Sequence, residues 1–467
     1  METQKNAAVH KATSLAMGLA QWVAATGPDE VPQAAIDKAQ LHVLDTLGLA
    51  LASHAEAFCA PSLAGISNAG SAGECSVLGA STRLAPRDAA LINGLLMHGL
   101  DFDDTHPASI IHASVASLPA ALAMGEHLNA SWDEMLRAYI LGMEAAIRIG
   151  ASVQGGFHHV GFHATGVVSH FSAALVAGKL LGLDADGLRT AQGIAASTAS
   201  GVQVFLEEGA WTKRMHPGWG ALSGITAAYM AQAKFVAPSR PYEGKFGLYE
   251  THLHGTQPLP DKIVEGLGQQ WSMLDTAIKP YPICHFNHGC VEAAINLHAQ
   301  IAGRIDQIES VTAWLAEPTL HIVAEPAHAK QNVSTDYEAK FSVQYGVAVG
   351  LLKGVFGLKE LSQETIQNQA IRHLTRKVQC QVDPETRFPV SFSGGVTVRL
   401  RDGTELYEHI AVNKGAGERA ISASDIMEKF QANARVLVDA TKADRMMKAV
   451  LQGKGRPVRD VLAEFRL

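Results

Sequence analysis

The sequence predicts a mainly α protein, a large helical body interrupted by a smaller α+β unit, and three observations carry that expectation. Apolar residues recur at helical spacing from Val31 to about Gln270. Alternation of period two is confined to the stretch after Lys279-Pro280-Tyr281-Pro282, and helical spacing returns from Ser424. These changes of texture set three segments: residues 1–270 as the N-terminal part of the helical domain, 271–403 as the inserted α+β domain, and 404–467 as a C-terminal segment returning to the helical domain. A chain of 467 residues has length for two or three domains and can bury a large core without disulfide or metal staples.

Each element follows from local pattern. Pro32 suits the first turn of a helix in which Ile36, Val43, Leu47 and Leu51 fall on one face. Helix-like blocks rich in Ala and other small residues follow at Asp88 to Leu100, Ser131 to Gly150, His163 to Leu181 and Gly218 to Lys234, and small residues imply close helix packing. Val311, Ala313 and Leu315 alternate, as do Val378, Cys380 and Val382, then Val396, Val398 and Leu400 before an Asp402-Gly403 turn signal. Those are half-buried strands. Ala339 to Leu352 reads as a helix between them, and the tail with Ile426, Met427 and Phe430 as a helix packing back on the first body.

Composition excludes several functions. With 38 Lys+Arg against 45 Asp+Glu the net charge is −7, so the electrostatic footprint of a nucleic-acid or membrane-surface binder is missing. An anionic ligand must then be held by a local cationic cluster. Charged residues are only 18% of the chain, which points to surface hidden between subunits. The five cysteines, Cys59, Cys75, Cys284, Cys290 and Cys380, lack CxxC spacing, and METQKNAAVHKATS lacks the apolar run of a signal peptide; the expectation is a reduced, cytoplasmic protein without membrane spans.

Histidine is abundant at 21 residues, and several are grouped: His98, His106 and His112; His158, His159 and His163; His216; His285 and His288. No HExxH or paired CxxC accompanies them, so neither a metal nor any other cofactor is expected. The stretch His98-Gly-Leu-Asp101-Phe-Asp103-Asp104-Thr105-His106-Pro107 places three carboxylates and two imidazoles after an apolar helix, where a loop presents them to a cleft. His112 follows within an apolar segment, where a buried imidazole needs a partner such as Asp101 or Asp103. Otherwise Asp103 and Asp104 read as loop or capping residues. Lys213 and Arg214 are equal candidates for an anion clamp on spacing alone, and Cys284 beside His285 has the composition, though not the side-chain direction, of a nucleophile and base.

Seven segments in order carry a resemblance to the MmgE/PrpD family: LDTLG at Leu44 to Gly48, NGLLMHGLDFDDTHP at Asn93 to Pro107, GFHATG at Gly161 to Gly166, TKRMHPGWGA at Thr212 to Ala221, KPYPICHFNH at Lys279 to His288, DYEAKFSVQYGVA at Asp336 to Ala348, and VNKGAGE at Val412 to Glu418. The resemblance implies a homodimer in which a helical domain built from both chain ends carries an inserted α+β domain. It also implies a cofactor-independent lyase, a decarboxylase or hydro-lyase, acting on a small di- or tricarboxylate by proton transfer at a carbon next to a carboxylate. An epimerase of a dicarboxylate such as iminodisuccinate, and a non-catalytic carboxylate-binding homologue, are the alternatives.

Carried over residue by residue, the resemblance implies a pocket of Asp101, Thr105, His112, His163 and Lys213. His285 or His288 supplies a further imidazole, with His288 favoured, and Tyr345 is another candidate. In that reading His112 and His163 move protons near neutrality. Lys213, with His216 three residues on, neutralises a carboxylate, Asp101 orients an imidazole and Thr105 offers a hydroxyl. Between Thr105 and His112 the chain reads HPASII, whereas the family's 2-methylcitrate dehydratases carry a longer insertion; HASV is more similar to the fungal decarboxylase-like members.

Overall fold

The computed structural model describes residues 13–467. The opening METQKNAAVHKA, part of the segment read above for a signal peptide, lies outside the described residues. Helices dominate, and among the described residues no single helix is long and apolar enough to cross a membrane.

One large core gathers side chains from Ala16 to Met273 and again from Phe430 to Phe465, so the two ends of the chain share it. The tail helix Ala423–Ala434 seats Phe430 against Gly48 of the helix Gln33–Ala52, where the missing side chain lets the ring approach. Two further helices of this body, Pro86–His98 and Thr212–Gln232, approach still more closely. A Cβ added to Gly218 would lie 2.1 Å from the Leu91 carbonyl oxygen, and one added to Gly94 would lie 2.5 Å from the Gly218 Cα. Backbone meets backbone there, and only glycine fits on both sides.

Six strands occur among the described residues. β1 (Ala72–Ser76) and β2 (Arg83–Leu84) form a small antiparallel pair that the helical reading of this region did not anticipate. β3 (Ile308–Leu315), β4 (Val378–Val382), β5 (Gly394–Leu400) and β6 (Glu405–Ile410) form a mixed sheet in the order β4-β3-β5-β6, with β3 and β4 parallel and the other pairs antiparallel. Val311, Ala313 and Leu315 of β3 and Val396, Val398 and Leu400 of β5 are buried in a second core, covered by the helices His288–Ile301 and Val343–Lys353. Along the edge strand β4 only Val378 is fully buried. β6 belongs to this sheet, so the sheet runs past the boundary expected at residue 403; Gly403, with φ +87°, turns the chain back on β5 rather than out of the sheet.

Two helix boundaries also differ from expectation. The helix expected from Gly218 starts at Thr212 and runs through Pro217, which forgoes the N–H that would have answered the Lys213 carbonyl. The segment Ala339 to Leu352 is broken at Ser342, whose hydroxyl accepts the Tyr345 N–H and caps a new helix at Val343.

Candidate active site

The close pair of helices delivers the first half of the site. Pro86–His98 ends at its histidine, and the chain then turns through Asp101, whose φ of +52° lies in the left-handed region that Asp tolerates better than most residues. Thr105 exchanges two backbone hydrogen bonds with Ala277, each 2.9 Å, which ties the acidic loop to the segment carrying Lys279. Lys213 sits in the first turn of Thr212–Gln232, and His163 immediately precedes the helix Ala164–Leu180. The His112 N–H donates to the Thr165 hydroxyl at 3.0 Å, so this loop is pinned to that helix start.

Asp101 is the centre of charge. Its Oδ1 accepts from Lys213 Nζ at 2.7 Å and lies 3.5 Å from Lys279 Nζ, which also donates to the Asp101 carbonyl at 2.7 Å. His112 Nε2 is 3.4 Å from the same oxygen, and its Nδ1 is 3.2 Å from Asp103 Oδ2. Asp103 pairs in addition with His98 Nδ1 at 2.8 Å. The His98 ring stacks on His163 at 5.5 Å and meets His112 edge-on at 4.6 Å, and His163 Nδ1 is 3.1 Å from His216 Nδ1.

Burial opposes charge on these imidazoles. It holds His112 down to about 4 despite Asp103, with Lys279 and Lys213 adding to the effect. Burial, then Lys213 and the neighbouring His216, hold His163 well below the ordinary range. Both rings are therefore neutral at pH 7. Asp101 is also buried, but Lys213 and Lys279 keep its carboxyl well below the usual carboxylate range.

A pocket of about 560 Å³, counted out to its mouth, brings together Asp101, Thr105, His112, His163, Lys213 and His285. Those six are the expected residues that meet. His216 does not line the pocket and backs His163 instead. His288, favoured on sequence, is buried behind His285 with ring centres 4.4 Å apart and spends Nε2 on the Ile283 carbonyl; the turn at His285–Asn287 gives the pocket position to His285. Tyr345 lies in a separate core beside Phe356 and donates to the Glu360 carbonyl.

Other expectations change for physical reasons. Asp103 and Asp104 are no capping residues: Asp103 joins His98 to His112, and Asp104 accepts from His42 and Ser114. Arg214 turns away from the pocket to Asp336 at 3.1 Å, its guanidinium 4.4 Å from the Phe58 ring centre and 5.0 Å from that of Tyr337. Lys213 takes the pocket side. Cys284 lines the pocket, but burial pushes its thiol up, away from the thiolate a nucleophile requires.

The sequence reading gave no site role to Lys279 or Asn413, and placed His98 in the cleft-facing stretch without assigning it one. A lysine inside the Pro- and Tyr-rich KPYP stretch, between apolar neighbours, was the available signal for the first. Asn413 of VNKGAGE donates to His285 Nε2 at 2.7 Å while its carbonyl accepts the Phe392 N–H, which places the proton of neutral His285 on Nδ1. As for metals, the donor atoms of His98, His112 and His163 lie within 4.8 Å of one another, as do those of Asp101, Asp103 and His112. Lys213 and Lys279 both lie at Oδ1 of Asp101, where a cation would have to compete with them, while Oδ2 is buried without a partner among the described residues.

Comparison with known proteins matches the chain in two consecutive parts. The MmgE/PrpD N-terminal domain matches residues 17–260 and the MmgE/PrpD C-terminal domain matches residues 281–452. The chain belongs to the MmgE/PrpD family. Relatives include the cis-aconitate decarboxylase-like protein oryM of Aspergillus oryzae, 26% identical with 93% of each chain covered. The cis-aconitate decarboxylase of Mus musculus is 28% identical over 79% of this chain and 76% of its own, and the 2-methylcitrate dehydratase of Salmonella typhimurium is 25% identical over 85% and 86%. The named relatives of this MmgE/PrpD protein are thus decarboxylases and dehydratases.

Proposed function

We propose that the protein is a cofactor-independent lyase that acts on a small di- or tricarboxylate by proton transfer at a carbon next to a carboxylate. The observation that carries this reading is the neighbourhood of His112 and His163, both uncharged at neutrality, with the ammonium groups of Lys213 and Lys279 around one pocket. The names of the relatives support the lyase class.

A substrate carboxylate is met by Lys213 and Lys279, and the enediolate that develops when the neighbouring carbon loses its proton places its charge beside the same groups. With its proton on Nδ1 toward Asp103, His112 has a lone pair on Nε2 to accept the substrate proton. The imidazolium so formed lies between Asp103 and Asp101, which stabilise it. An anionic substrate acts in the same direction, raising the basicity of a ring that burial has depressed. In a dehydration the carbanion then expels hydroxide, which leaves as water with the proton held by the His112 imidazolium; in a decarboxylation CO2 leaves first and the carbanion takes a proton from the Lys213 ammonium, which solvent restores.

The test is incubation with a mixture of small di- and tricarboxylates in D2O, with and without a chelator, followed by mass spectrometry. Loss of CO2 with uptake of one deuterium, or loss of water, unchanged by chelation, is expected. Deuterium uptake with neither loss would replace the lyase by an epimerase, binding with neither uptake nor loss would leave a carboxylate-binding protein, and abolition by chelation would overturn cofactor independence.

A further inference from the structure

The two sides of the pocket differ in chemistry. The charged side chains lining it are Asp101, Lys213 and Lys279 among the described residues, which leaves one unpaired positive charge. The lining imidazoles add none, because burial holds His112 and His158 down to about 4 and His163 and His285 well below the ordinary range. Most of the remaining wall is apolar, with Phe205, Leu206, Phe286, Ile322, Phe341 and Phe392, while Gln203 and His158 are engaged with each other at 2.6 Å and His158 with the Ile110 carbonyl. It is also braced, with Phe392 at 5.1 Å from Phe286 and 5.9 Å from Phe388 between ring centres. Leu206, Ile322 and Phe341 continue into an adjoining outer hollow, where Glu207, Glu325 and Glu338 outnumber Lys330.

We infer that the substrate is a dicarboxylate bearing an apolar alkyl or aryl substituent, its carboxylates at the Lys213 and Lys279 side and its substituent on the Phe205, Ile322 and Phe392 wall. This rests on the function proposed above and narrows it. A third carboxylate would either be desolvated against phenyl rings with no donor to replace its water, or reach a hollow rimmed by glutamates. An alkyl group on that wall gains burial instead, worth about fourfold in affinity per methylene.

The test is a binding series by calorimetry on the intact protein: succinate, methylsuccinate, propylsuccinate and benzylsuccinate against tricarballylate, a tricarboxylate close in size to propylsuccinate. Affinity is expected to climb with the alkyl chain, and propylsuccinate to bind at least about tenfold more tightly than tricarballylate. Tricarballylate binding as tightly as propylsuccinate, or no gain along the alkyl series, overturns the inference while the lyase reading stands. Absence of binding by every acid overturns both. Ile322→Arg adds a cation at a half-buried position and is expected to reverse the preference toward tricarballylate; a folded variant that keeps the wild-type order refutes the placement of the substituent.

Discussion

Acidification from neutrality is expected to unfold this protein well above the carboxylate range. Besides His163 and His285, burial holds six imidazoles far below their ordinary value of 6.5: His106, His112, His158 and His170 at about 4, His216 and His288 at about 3. An imidazole whose folded value is depressed binds its proton in the unfolded chain first. Its contribution is therefore intact above about pH 6.5 and is lost progressively as the pH falls toward 4. Each such group adds about 1.4 kcal/mol per pH unit in that window, so six together approach ~8 kcal/mol per unit, comparable with the whole stability of an ordinary domain at ~5–15 kcal/mol. Asp101, Asp103 and Asp104 are held below the usual carboxylate range, so what they contribute is lost only below about pH 4 and does not change this window. Asp45, raised by burial, has the opposite sign but is a single group. Urea denaturation followed by circular dichroism at steps between about pH 7 and 5.5 measures the slope. His170→Asn removes one contributor outside the pocket and is expected to flatten it by one group's share. A wild-type slope no steeper than about 1.4 kcal/mol per pH unit, the share of one imidazole, would refute the reasoning.

His112→Gln is expected to lower turnover by roughly 10²–10⁴, and wild-type kcat/KM to show no acid limb around neutrality while the protein stays folded, since kcat/KM reports the free enzyme. A pH–rate profile of both proteins checks this. Asp101→Asn leaves Lys213 and Lys279 buried without their carboxylate and is expected to cost about 3–5 kcal/mol of stability, read by denaturant titration at pH 7. Lys213→Ala is expected to raise KM for an anionic substrate, whereas Arg214→Ala, which breaks the contacts to Asp336, Phe58 and Tyr337, is expected to lower stability with KM little changed. Steady-state kinetics beside thermal unfolding separates the two.

Periodicity made the architecture legible wherever one face of an element is buried and the other is not. Val311, Ala313 and Leu315 announce β3 for that reason, and the edge strand β4 is the weakest of the three alternations in burial. Helix ends were less legible because they are settled by single groups, such as the Ser342 hydroxyl and the tolerated Pro217. Of the site, the acidic loop, His112, His163 and Lys213 stood out by their motifs. The choice between His285 and His288 did not, because it depends on a one-turn bend at Cys284 and on Asn413, more than a hundred residues away. Asp103 stood out as one of two partners for His112, but its pairing with His98 did not, for a similar reason. A carboxylate in a loop looks solvated until the helix that ends at His98 is known to bury it.

The backbone contact of Gly94 with Gly218 bears on how such a pocket can change over evolution. Asp101 follows one of these two helices and Lys213 opens the other, and their spacing has no slack, since any side chain at either glycine would force them apart. Ile322 and Phe392 come from the other core region and from a loop before β5, where volume and polarity can be altered without touching that junction. Variation in acceptance is thus mechanically uncoupled from that junction, although Phe392 at 4.9 Å from the His285 ring and Phe341 at 5.0 Å from Lys213 Nζ touch the machinery itself. A library centred on Ile322 would explore new acids at least risk to catalysis, whereas one extended to either glycine would mostly sample broken enzymes.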